Sequence, residues 1–217
     1  MEDIFDKLLA ITGISKYSNS EVITPLNIVN NMVDLLPPEI FNPDTKFLDS
    51  AVKSGRFLAE IYRRLFDSPL LSHMDKQTRR QHILGNQLYG LATSAVATTI
   101  VRKQLYDDPT IAGSVVYTEG KVTKKLIQGA FENMKFDVVI GNPPYNDDIY
   151  LDFVTLGHRP ASKYTCMITP AKWQSKGGKK NEKFRKDIVP YMSEVVYYPD
   201  CSDVFEITSW GGISYFW

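Results

Sequence analysis

The chain is short of cysteine, histidine and net charge, and each shortage closes off a class of function. Two cysteines, Cys166 and Cys201, cannot build a disulfide framework. The three histidines, His73, His82 and His158, are scattered and offer no metal-ligand spacing, so no metal is expected. Lys plus Arg and Asp plus Glu balance at 25 each, giving zero net charge. A wholesale basic nucleic-acid binder is thereby excluded, and any such contact must come from a local patch. No apolar run approaches the ~18–20 residues of a membrane span. The N-terminus, Met1-Glu2-Asp3, is acidic and lacks the basic-then-apolar layout of a secretory signal. What is present is ordinary for a globular, cytoplasmic protein: 217 residues, 43% hydrophobic and 23% charged. At ~100–200 residues per domain, that is one large domain or one domain plus an appendage.

The hydrophobic pattern alternates helix and strand. Residues 1–20 read as a short amphipathic helix (Ile4, Phe5, Leu8, Leu9) and a polar stretch. Thr24-Pro25 reads as a helix start, with Thr as cap and Pro at the first helical position. That helix runs to about Leu36, where Pro37-Pro38 stops it. Phe47-Leu48 is a short strand, and Phe57, Leu58, Ile61, Tyr62, Leu65 and Phe66 fall at helical spacing. A polar connection leads to the apolar stretch Ile83–Leu91 and a helix over 94–106. Ser114–Tyr117 is β-branched, and 121–130 is helical in pattern. Phe136–Ile140 and Tyr164–Thr169 are buried strands; a Lys- and Gly-rich loop, a helix near 181–189 and strands near 194–198 and 212–217 follow. Such alternation predicts an α/β fold with a mostly parallel central sheet and helices on both faces.

In open α/β sheets ligands bind beyond the carboxyl ends of the strands. Two segments sit there. The first is Phe47–Leu58, with Asp49 at the strand end and the small residues Ala51, Ser54 and Gly55 before a helix. A carboxylate and a helix N-terminus suit a cofactor carrying a ribose or an ammonium group; an ordinary βα turn is the alternative at this point. The second is Asn142-Pro143-Pro144-Tyr145. Two prolines remove two N–H donors and leave their carbonyls as acceptors. Asn142 adds a side-chain carbonyl and Tyr145 a flat face. That set fits a planar group bearing NH2.

Together these segments resemble the adenine-specific, amino-group DNA methyltransferases of restriction–modification systems, roughly over 20–217 and in order. Phe47–Leu58 is similar to the family's Asp-Pro-Ala-Cys-Gly-Ser-Gly-x-Phe-Leu cofactor loop, with Ser50 in place of Pro and Lys53 in place of Gly. Asn142–Tyr145 is similar to its catalytic motif, and Thr24-Pro25 to its segment before the first strand. Lys163–Pro170 with Trp173, Val204-Phe205 and Gly211–Phe216 resemble its later strand regions. One departure stands out: Tyr89–Ser94 holds no acidic residue where the family usually binds the cofactor ribose, leaving the hydroxyls of Thr93 or Ser94.

The resemblance implies a Rossmann-like fold using S-adenosyl-L-methionine, held by Thr24, Pro25, Asp49, Ala51, Ser54, Gly55, Thr93 and Glu119. It implies that Asn142 and Pro143 accept the hydrogens of the adenine amino group, while Pro144 and Tyr145 complete the catalytic motif and Tyr145 stacks on a flipped base. The basic stretch Lys172, Lys176, Lys179, Lys180, Lys183, Arg185 and Lys186 is expected to contact phosphates, a solvated surface loop being the alternative, and Trp173 to line the base pocket or, equally, to pack in the core. Implied partners are double-stranded DNA and a specificity or nuclease subunit or fused domain, in a bacterial or phage cytoplasm. Residues 21–217 are expected to be the catalytic domain, preceded by an extension at 1–20 and lacking the target-recognition region. Other substrates of this chemistry are cytosine in DNA, adenine in RNA and protein glutamine; a cofactor-fold binding module is the non-enzymatic alternative.

Overall fold

The computed structural model describes residues 22–92, 94–106, 114–117, 135–158, 163–175, 177–205 and 211–217. The helices expected within 1–20 and at 121–130, and the candidates Thr93, Glu119 and Lys176, lie outside the described residues.

The chain enters through α1 (Leu26–Asp34), β1 (Phe47–Val52), α2 (Arg56–Asp67) and α3 (Lys76–His82). It continues with β2 (Leu88–Ala92), α4 (Ala95–Leu105), β3 (Val115–Tyr117) and β4 (Val138–Gly141). Then come α5 (Ile149–Gly157), β5 (Tyr164–Pro170), α6 (Lys179–Ile188), β6 (Val195–Tyr198) and β7 (Ile213–Phe216). The strands form one seven-stranded sheet of order β3-β2-β1-β4-β5-β7-β6. Strands β1 to β5 pair in parallel, and β7 runs antiparallel between β5 and β6. The chain steps outward from β1 through β2 to β3, then returns to the other side of β1 at β4. The β1–β4 junction is therefore the switch point, where a doubly wound sheet opens its ligand crevice.

Both faces are covered because successive strand side chains alternate. Phe47, Val138, Ile140, Cys166 and Ile168 join Ile28, Val29, Met32 and Val33 of α1 and Leu58, Ile61 and Leu65 of α2. Leu48, Val139 and Met167 join Tyr150, Phe153 and Val154 of α5 and Phe184 and Ile188 of α6. Each such fully buried side chain contributes roughly 1.5–3 kcal/mol. In α2, Glu60 is buried outright, and its carboxylate is matched by Arg63 and Arg64 at 2.6–2.9 Å.

Five expectations change. Val204-Phe205, expected as a strand region, follows a short 3-10 turn at Cys201–Asp203 and joins no strand. β1 extends to Val52, so Asp49 lies inside a strand whose six residues are all buried. Its pairing with β2 shifts between Asp49 and Val52. The polar connection holds helix α3, capped by Asp75 accepting from Gln77 and Thr78 N–H; α3 buries no residue, so it leaves no apolar period. The Lys- and Gly-rich stretch becomes helical from Lys179. Thr24 does not cap α1: Pro25 holds the cap position with no side-chain bond, and the Thr24 hydroxyl turns elsewhere.

Candidate functional site

The carboxyl ends of β1 and β4 bring both predicted segments together. Thr24, Asp49, Ala51, Ser54, Gly55 and Asn142 line one small cleft, with Lys53 and Arg56 at its wall. Pro25 follows at the start of α1.

Gly141 makes the close approach possible. Asp49 pairs with Ile140, so the next residue of β4 passes directly over the Asp49 carboxyl. Its φ of +151° is a conformation L side chains rarely adopt, and a Cβ there would lie 2.8 Å from Asp49 Oδ1. Gly55, at φ +78°, turns β1 into α2; a Cβ on it would meet the Val101 side chain at 3.0 Å.

Asp49 is buried at 2% exposure, and its Oδ1 accepts from Ala51 N–H at 3.0 Å. Burial pushes its pKa up to about 7, against smaller lowering by the Ala51 bond and the Lys53 charge. The folded protein therefore holds a proton at Asp49 that the unfolded chain releases near pH 4. This group's contribution to stability falls as pH rises from about 4 to about 7. The cost at pH 8 has a ceiling of about 4 kcal/mol. Asp49→Asn should melt later than the parent at pH 8 and alike at pH 4. Equal melting at pH 8 would show that the carboxylate is well solvated.

Asn142 is 3% exposed. Its Nδ2 donates to the Val22 carbonyl and to Thr24 Oγ1, each at 3.2 Å. The Val22 carbonyl can only accept, so the amide orientation follows from its partners. Asn142 Oδ1 is buried and has no hydrogen-bond partner. Buried polar atoms are seldom left so, because an unmade bond costs about 1–3 kcal/mol. The segment around Val22 and Thr24 is itself pinned: Lys53 Nζ reaches the Val22 carbonyl at 3.2 Å, and Arg56 Nη1 the Thr24 carbonyl at 2.9 Å. Lys53, the departure from the family loop, thus holds the segment that holds Asn142.

Pro143 is buried and Pro144 half-buried. Tyr145 is half-buried; its hydroxyl donates to the Ile168 carbonyl at 3.3 Å, and its ring meets Tyr150 edge-on at 6.2 Å. Burial pushes the phenol pKa up, so it stays neutral. Ser50, where the family has Pro, points to the β5 side and donates to Met167 Sδ at 3.8 Å. Ser94 Oγ caps α4 by accepting from Ala97 N–H at 3.1 Å, so it is already engaged.

At the edge beyond the carboxyl end of β5, Trp173 takes the core alternative and Lys180 is engaged by the chain itself. Trp173 is core: it is 5% exposed, its indole N–H donates to Ser214 Oγ at 3.3 Å, and its ring packs on Phe184 and Phe216. It does not line a base pocket in this conformation. Lys180 is exposed yet engaged by the chain itself, donating to the Asp148 carbonyl at 2.8 Å and lying 3.6 Å from the Asp152 carboxylate. It straps the turn after Tyr145, where Asp147 and Asp148 both adopt φ +54°. Lys183 pairs with Asp187, and Arg185 donates to the Trp173 carbonyl. Lys172, Lys179 and Lys186 are exposed.

Residues that sequence reasoning missed are Gly141, the Val22 carbonyl, Lys53 and Arg56. Gly141 carried a signal, as a glycine wedged between a buried strand and Asn-Pro-Pro, and Lys53 was visible only as a departure from the loop pattern, not as a tether. Among the described residues no group of three or more His, Cys, Asp or Glu could hold a metal ion, and no helix is long and apolar enough to cross a membrane.

Comparison with known proteins places this geometry. The family model "N-6 DNA Methylase" matches residues 1–197. An uncharacterised adenine-specific methylase of Mycoplasma pneumoniae is 28% identical, over 94% of this chain and 68% of its own length. The M protein of the type I restriction enzyme EcoKI superposes with a TM-score of 0.64 at 16% identity, over 92% of this chain and 44% of that one. The methyltransferase subunit of a type I restriction–modification system from Streptococcus thermophilus gives 0.60 at 15% identity, over 93% and 45%. The chain thus spans about two thirds of the Mycoplasma relative and under half of these solved subunits. Its fold is the Rossmann-like methyltransferase fold, and the chain belongs to the N-6 DNA methylase family.

Proposed function

We propose that this chain transfers a methyl group from S-adenosyl-L-methionine to the exocyclic amino group of adenine in DNA. The observation that carries the reading is the unpartnered Asn142 Oδ1, buried beside the Asp49 cleft with its amide orientation set by its neighbours. An acceptor kept free at the switch point of the sheet is what an incoming NH2 group requires.

The residues present fit the cofactor. Asp49, able to ionise near neutrality, would hold its amino group, and Thr24, Pro25, Ala51, Ser54 and Gly55 would form the wall around it. S-adenosyl-L-methionine, when bound, supplies a methyl on a sulfonium, already electrophilic. The chain's own task is the amino group, whose lone pair is delocalised into the ring. Asn142 Oδ1 and the Pro143 carbonyl would accept its two hydrogens and turn the lone pair outward. They would also stabilise the positive charge that develops on nitrogen, so positioning and electrostatics carry the transfer, and the proton shed by the methylated nitrogen passes to solvent. Pro143 and Pro144 present no N–H to compete. Tyr145, anchored by its hydroxyl, would offer its ring to a base flipped from the duplex.

Double-stranded DNA is the proposed substrate polymer, within a restriction–modification setting in the cytoplasm that adds a specificity or nuclease component. Lys172 and Lys179, exposed past the carboxyl end of β5, are the phosphate contacts we assign. Their double alanine variant should lower the slope of log affinity against log salt by about 2, at roughly 0.9 per phosphate. An unchanged slope would remove this edge from the interface.

Calorimetry with S-adenosyl-L-methionine tests the cofactor reading, and labelled methyl transfer to DNA tests the reaction. Binding with no transfer to any polymer would favour a binding module. No binding at millimolar cofactor would contradict the enzymatic reading altogether.

A further inference from the structure

Asn142 can serve as an acceptor only while its amide faces the right way, and the structure identifies what sets that orientation. An amide has a donor end and an acceptor end of almost identical shape. Nothing in its own sterics distinguishes them. Here the donor end meets two acceptors, the Val22 carbonyl and Thr24 Oγ1, each at 3.2 Å. Turned over, Asn142 Oδ1 would face the Val22 carbonyl, lone pair against lone pair. Both Nδ2 hydrogens are thus spoken for, and Oδ1 is left unpartnered.

We propose that Thr24 is a positioning residue for the transfer: its hydroxyl accepts from the Asn142 amide and fixes Oδ1 toward the target amino group. This rests on the proposed function above. It adds to that reading, because the wall of the cofactor cleft then also sets the aim of the catalytic amide. The Thr24 hydroxyl is free for this task because it does not cap α1. Its backbone is held independently, with Arg56 Nη1 on the Thr24 carbonyl at 2.9 Å. Lys53 Nζ on the Val22 carbonyl fixes the second acceptor in the same way. Thr24 is 5% exposed, so water does not readily replace its hydroxyl.

Three variants separate this role from others. Thr24→Val keeps the shape and loses the acceptor. It should lower kcat on DNA, read at saturating cofactor, about five- to tenfold, the scale of one neutral hydrogen bond; any rise in cofactor KM beside it reports the cleft wall that Thr24 also forms. Thr24→Ser keeps the hydroxyl and should recover kcat to within about twofold of the parent. A raised cofactor KM with unchanged kcat would overturn the proposal in favour of a cofactor contact. Equal impairment of the serine and valine variants would overturn it in favour of methyl packing. A readout that needs neither DNA nor cofactor guards against inactive or poorly folded variants. The Asn142 side-chain NH2 resonances, assigned by their loss in Asn142→Ala, should move in Thr24→Val and not in Thr24→Ser. Unmoved resonances in Thr24→Val would refute the hydrogen bond itself. If the parent protein methylates no adenine while these resonances behave as stated, the proposed function fails and the positioning contact stands.

Discussion

Asn142→Ala should remove methyl transfer, lowering kcat by about a hundred- to a thousandfold, the scale seen when one pre-aimed polar group is deleted from a transition-state site. Cofactor affinity should change little. The reason lies in how the neighbours of Asn142 are held. Losing the amide strips one donor from Val22 and one from Thr24, but Lys53 still reaches the Val22 carbonyl and Arg56 the Thr24 carbonyl. The wall of the cleft therefore persists, at a stability cost of about 1–3 kcal/mol for the orphaned Thr24 hydroxyl and the small void. Single-turnover transfer, paired with calorimetric cofactor binding and a thermal melt, checks each part. Transfer at the parent rate in a well-folded variant would refute the role assigned to Asn142.

Gly141→Ala should cost more stability than Asn142→Ala. The backbone there sits at φ +151°, where a side chain is strained, and the new Cβ would fall 2.8 Å from Asp49 Oδ1. Neither partner can give way easily: Asp49 is buried within β1, and Gly141 is fixed by pairing with Met167 of β5. Backbone strain of about 1–3 kcal/mol and overpacking of a similar size add together. The outcome should be a loss of roughly 2–6 kcal/mol with displacement of both Asp49 and Asn142, so that cofactor binding and transfer fail together. Denaturant unfolding measures the first effect and calorimetry the second. A variant with parent-like stability would mean that the β1–β4 approach is looser than described.

Which of these features could be read in advance follows from how each signals itself. β4 was legible because Val138, Val139 and Ile140 are apolar and serve two cores, leaving an unbroken hydrophobic run. β1 was cut short because its second half begins Asp49-Ser50, polar residues that the fold buries for the sake of the cleft. Helix α3 stayed hidden because it buries nothing. The motifs brought Asp49, Ala51, Ser54, Gly55 and Asn142 to one place without structural help. What they could not convey is direction. A run of lysines does not say that Lys180 turns back onto the Asp148 carbonyl while Lys179 faces solvent. An aromatic residue after a strand does not say whether it meets a base or, like Trp173, Phe184 and Phe216. A threonine before a helix looks like a cap until a second partner, here Asn142, is seen to take its hydroxyl.

The most direct measurement is the identity of the methylated nucleoside. Parent protein would be incubated with labelled S-adenosyl-L-methionine and, separately, duplex DNA, RNA and protein, and each product digested and mapped. The proposed function predicts N6-methyladenine in DNA, absent with Asn142→Ala. Label on cytosine, on RNA or on protein glutamine, with none on DNA adenine, would contradict it.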